Sequence, residues 1–155
     1  MTSSFAKLQA AYEAAAYRVH GSPVGAFVIR CGEVSPALDA LLAIAGADTW
    51  AFVTAANPGS LRLDDATNRR RHAALVAEVR RRGFVCYAGA GAGDDGAWPP
   101  EESVLVPGLD EASAIALGRA FGQFAVLVGE RCGPARLAWA VVQVGLGTGR
   151  RNGAG

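Results

Sequence analysis

Between Ser35 and Thr54 the chain sets out a helix that delivers straight into a buried strand. Ser35-Pro36 pairs an N-cap hydroxyl with a proline whose fixed φ suits the first helical position. Leu38, Leu41, Leu42 and Ala45 recur on one helical face, and Gly46 can end the helix in left-handed backbone. After Ala47-Asp48 comes Thr49-Trp-Ala-Phe-Val-Thr54, an apolar run of strand length. This is the pattern of a layered α/β domain.

The remaining chain fits the same layer. Phe5 to Ala16 predicts a short helix with Leu8, Ala11, Tyr12 and Ala15 on one face. Residues 17–20 and 24–30 predict a hairpin around Gly21-Ser-Pro23. Asp64 or Asp65 begins a long helix that Gly83 follows, and 84–88 predicts a strand. Residues 89–100, glycine-rich at first and ending in Trp98-Pro-Pro100, read as a long loop and a mobile lid. Glu101–Val106 predicts a strand with Glu102, Val104 and Val106 on one face. Asp110 caps a helix with Ala114, Leu117, Gly118 and Phe121 inward, and runs 124–129 and 135–142 complete the sheet. The expected fold is a single α/β domain over 1–144, with a mixed sheet of about six to seven strands and about four helices, then a disordered Gly/Arg-rich tail over 145–155.

With 155 residues, of which 51% are hydrophobic and 19% charged, the chain can bury a real core. A net charge of +1 makes no general case for nucleic acid or acidic membrane. No apolar run reaches the ~20 residues that span a bilayer. Cys31, Cys86 and Cys132 lack zinc-ligand spacing, and an odd count without a signal sequence fits a reducing cytoplasm. No metal and no cofactor is expected. His20 and His72 are too isolated for a metal site, and Ser103 has no evident histidine partner for a hydrolytic triad.

Chemistry concentrates between Thr54 and Arg71. Thr54, Asn57 and Ser60 leave a strand end, where open α/β sheets hold ligands, although turn chemistry explains the same residues. Asn68 and Arg71 open a helix face that carries Leu75 and Val79 further along. Polar groups on such a face need partners, because an unsatisfied buried one costs about 1–3 kcal/mol. Glu102, beside two valines, has the same need, so Arg71 and Glu102 are expected to pair, directly or across a ligand. The plainer alternative is a structural ion pair.

Several motifs recur together: Trp50-Ala-Phe-Val-Thr-Ala-Ala-Asn-Pro-Gly-Ser60, Asn68 with Arg71, Trp98-Pro-Pro-Glu-Glu-Ser103, and Leu117-Gly-Arg-Ala-Phe-Gly-Gln123. In that order they resemble the bacterial family known as domain of unknown function 3293, from about Tyr12 to the last strand. One departure is Ala56, where the resemblance implies tryptophan. That family lends no activity, so function rests on the residues.

The expectation is therefore a small-molecule binding domain, its enzymatic status open, with a polar cleft for an anionic, nucleotide- or carboxylate-bearing ligand. Thr54, Asn57, Ser60, Asn68, Arg71, Ser103 and Gln123 are the expected ligand contacts, Glu102 the catalytic acceptor or base, and Trp98 the lid. The alternative is a non-catalytic module, a homodimer or a nucleic-acid-associated protein, using Arg69, Arg70, Arg80 and Arg81.

Overall fold

A computed structural model describes residues 4–93 and 99–140. Its elements are α1 (Ser4–Ala14), β1 (Ala16–Val19), β2 (Phe27–Ile29), α2 (Pro36–Ala45), β3 (Thr49–Thr54), α3 (Asp65–Arg81), β4 (Tyr87–Ala92), β5 (Glu101–Pro107), α4 (Glu111–Ala120), β6 (Ala125–Glu130) and β7 (Arg136–Trp139), with one 3₁₀ turn at Pro58–Ser60. Among the described residues, seven strands and four helices form an α/β domain, as the sequence implies. Trp98 and the tail over 145–155 lie outside the described residues.

Local chemistry sets the helix ends. Ser35 Oγ accepts from Leu38 N at 3.2 Å, and Gly46 closes α2 at φ 65°. Asp110 does the same for α4, accepting from Ser113 N at 2.7 Å.

The strands run in the order β2-β1-β4-β5-β3-β6-β7, and each neighbouring pair is antiparallel. Just beyond the two edge strands, Cys31 and Ala135 form a parallel bridge. Gly32 N donates to Ala135 O at 2.7 Å, and Ala135 N donates to Glu33 O at 3.1 Å. The sheet thus curls until its edges meet, which protects strand edges that would otherwise invite pairing with other chains.

Alternation along each strand then makes two cores. One face carries Ala51, Val53, Val104, Val106, Val126 and Val128 against Leu75 and Val79 of α3 and Ala114 and Leu117 of α4. The other carries Trp50, Phe52, Leu105 and Leu127 against Leu38, Leu41 and Leu42 of α2. The registers Trp50↔Gly129, Phe52↔Leu127 and Thr54↔Ser103 order this second face into layers. Trp50 lies toward α2, and Thr54 and Ser103 lie at the far end.

The sequence placed β4 too early. Residues 89–92, expected to begin the long loop, are strand. A Cβ on Gly89 would stand 2.5 Å from Arg18 O and 2.8 Å from the Phe52 ring, and one on Gly91 would stand 3.6 Å from the Tyr17 ring. These glycines admit aromatic rings to the sheet face instead of making a turn.

Candidate functional site

Beyond Thr54 the chain bends through left-handed backbone at Asn57 (φ 49°), Gly59 (φ 64°) and Ser60 (φ 58°). Two non-glycine residues in this region carry a conformational cost, so the surroundings must hold them there. Asn57 is held through its backbone N–H and its side-chain amide. Its N donates to Asn68 Oδ1 at 3.0 Å, and its Oδ1 accepts from Leu63 N at 2.8 Å and Asn68 Nδ2 at 2.9 Å. The remaining group, Nδ2, donates to Glu101 Oε2 at 2.8 Å. Asn68 is therefore a brace for Asn57, which itself is 6% exposed.

Glu101, with Tyr12, Tyr17 and Phe52, is a cleft residue absent from the contacts expected from sequence. Neighbours on a strand face opposite sides, so Glu101 and Glu102 part company. Glu102 keeps the face it was expected to share with Val104 and Val106, and there it meets α3: its Oε2 lies 3.5 Å from His72 Nε2, with 58% of the side chain exposed. Glu101 turns the other way, opposite Gly91 and in the Ser103 and Leu105 series. Burial pushes its carboxyl above the ordinary range, and the Asn57 hydrogen bond offsets part of that rise. Strand alternation puts Glu101 and Glu102 on opposite faces but does not say which face encloses a cavity.

Glu101 faces a cleft of about 320 Å³ enclosed by α1 and the far end of the curled sheet. Tyr12 of α1 reaches across it, its hydroxyl 2.9 Å from Ser60 Oγ. Tyr17 Oη donates to Tyr12 O at 2.6 Å. Burial raises both phenols, with the Glu101 charge adding to each. Both therefore stay protonated at neutral pH.

Of the expected contacts, Thr54, Asn57, Ser60, Ser103 and Gln123 line this cleft. Most of their donors are turned on the protein itself. Thr54 Oγ1 donates to Glu102 O at 2.7 Å, Ser103 Oγ to Glu101 O at 2.9 Å, and Gln123 Nε2 to Ala56 O at 3.0 Å. Ala56 is buried in that contact. Asn68 and Glu102 line a second cavity of about 260 Å³ with Arg62, Asp65 and Arg69; it adjoins the first through Asn57, Pro99 and Glu101, which line both.

Arg71 lines neither cavity. Its Nε donates to Ala55 O at 2.6 Å, and its Nη2 donates to Phe121 O. The expected direct pair with Glu102 is absent: the guanidinium ties the end of β3 to the end of α4 through their carbonyls. On the outer surface, Arg81 and Arg82 bond Glu78, and Arg70 bonds Thr67.

Fold and site together define an α/β domain with a curled antiparallel sheet and a carboxylate-bearing cleft at one end. Residues 53–126 match the family described as Protein of unknown function (DUF3293), the family whose motifs the sequence resembles. The match is shorter than the resemblance suggested, running from β3 to β6 and so including Asn57, Ser60, Glu101, Ser103 and Gln123. Neither a curated protein nor a solved structure gave a match. Among the described residues no helix is long and apolar enough to cross a membrane.

Proposed function

We propose that this chain is a small-molecule binding domain whose ligand occupies the cleft under α1, with Glu101 as its main polar contact. One observation carries the reading. A half-buried carboxyl faces a cavity while accepting, among the described residues, one side-chain hydrogen bond, from an asparagine held in left-handed backbone by Asn68 and Leu63. Such a group gains little for the fold and is placed to receive a donor from outside. The acceptor role that sequence assigned to Glu102 passes to Glu101. Should the ligand be turned over, the raised carboxyl suits general acid–base work.

The carboxyl also gives this reading a pH signature. Its folded pKa lies above the unfolded value. Between the two values the folded state binds more protons, so stability falls as pH rises through that window. Glu101→Gln keeps an acceptor for Asn57 and removes the charge. The variant is expected to melt higher than the native protein at neutral pH, with the gap closing below about pH 4. It is also expected to lose stabilisation by library compounds, which for a ligand at 100 times its Kd amounts to about 2.7 kcal/mol. Differential scanning fluorimetry across pH, with a library spanning cationic, neutral and anionic metabolites, reads both effects. A variant that melts lower and still responds to the same compounds would remove Glu101 from the site.

A further inference from the structure

The cleft's donors and acceptors point to the charge of its ligand. Four lining side chains that could donate are engaged with the protein: Thr54 on Glu102 O, Ser103 on Glu101 O, Asn57 on Glu101 Oε2, and Gln123 on Ala56 O. Tyr17 spends its hydroxyl on Tyr12 O, and Tyr12 and Ser60 share a hydrogen bond. Among the described lining residues there is no lysine, arginine or histidine. An anion entering here would find no opposite charge in this cleft's described lining, Arg62 and Arg69 belonging to the adjoining cavity on the other side of Asn57 and Pro99, and would stand against Glu101.

What the cleft does offer is a carboxylate and aromatic surface. Tyr12, Tyr17 and Phe52 all line it. The Tyr17 and Phe52 rings meet edge to face, with centroids 5.5 Å apart and planes at 75°. Gly91 leaves the space beside the Tyr17 ring that a side chain would fill. Aromatic surface beside one carboxylate, in a partly desolvated cleft, is the chemistry that holds organic cations.

We propose that the cleft binds an organic ammonium ligand, its charge against Glu101 and its alkyl groups against Tyr12, Tyr17 and Phe52. This rests on the reading of the cleft as a ligand site, and it replaces the anionic ligand that the sequence implies through Arg71. Arg71 is committed to two backbone carbonyls outside the cleft.

The test compares choline with 3,3-dimethylbutan-1-ol, its uncharged isostere, by calorimetric titration of the full chain. Longer alkyltrimethylammonium ions extend the series. At least one ammonium probe is expected to bind ten or more times more tightly than its neutral counterpart, and Glu101→Gln is expected to abolish that preference. Tyr12→Phe, which keeps the ring and removes the hydroxyl, is expected to retain binding, and Tyr12→Leu to weaken it. Equal binding of the charged and neutral probes overturns the ammonium assignment, as does a preference that survives Glu101→Gln. If neutral or anionic library compounds bind the cleft and no ammonium probe does, this proposal fails alone. If no compound of any charge binds there, the cleft reading fails with it.

Discussion

Arg71→Ala is expected to lower the unfolding free energy by about 3 kcal/mol, from two hydrogen bonds of a charged donor at about 1.5–3 kcal/mol each, less what water recovers. The two acceptors explain the size. Ala55 is fully buried just past β3, and Phe121 follows the last turn of α4. Both carbonyls face the guanidinium of a residue on α3, so one side chain joins three elements that are distant in sequence. Without it Ala55 O loses its side-chain donor in a dry setting, and the end of α4 loses one of its ties to the bend that carries Asn57, beside Gln123 Nε2 on Ala56 O and Gly59 N on Gly122 O. Arg71→Lys should recover only part of the loss, because an ammonium cannot reproduce the planar fork that serves two acceptors at once. Urea denaturation measures both variants. A change within about 0.5 kcal/mol, the range of ordinary surface substitutions, would return Arg71 to the list of ligand contacts.

A second large effect is expected in the sheet. Gly89→Val places a branched side chain where even a Cβ would lie 2.5 Å from Arg18 O and 2.8 Å from the Phe52 ring. The first neighbour is backbone of the paired strand β1 and cannot rotate away. Overpacking usually costs about 1–3 kcal/mol, and this position should fall at or above the upper end. Because β1 carries Tyr17, pushing it from β4 also widens the cleft floor. Ala88→Val, one residue earlier on the exposed side of the pairing, should stay within about 0.5 kcal/mol of the native protein. Thermal denaturation followed by circular dichroism separates the two. Equal stability of both variants would contradict the close packing of β1 on β4.

These two residues also show where sequence reading stopped. The caps Ser35, Gly46 and Asp110 were legible because each acts on backbone within a few residues of itself. Strand β3 was legible because six residues, nearly all apolar, follow a helix stop. Arg71 stands on a helix face where a charge needs a partner, yet its partners are carbonyls that no side-chain pattern displays. Glycines 89 and 91 looked like loop because the rings they accommodate, Phe52 and Tyr17, lie 37 and 74 positions away by residue number. At β5 both faces are covered, so alternation separated Glu101 from Glu102 without saying which side encloses a cavity. The sequence puts Tyr12 on one face of α1 with Leu8, Ala11 and Ala15, but its meeting with Ser60 depends on the curl of the whole sheet.

The account stands on the cleft between α1 and the sheet being the place where a ligand binds. Amide chemical-shift mapping of the ¹⁵N-labelled full chain against pooled metabolites tests this most directly. The expected result is a cluster of perturbed resonances at Tyr12, Tyr17, Asn57, Ser60, Glu101 and Gln123 that disappears in Glu101→Gln. Perturbations confined to Arg69–Arg82 on α3, with those six silent, would contradict it.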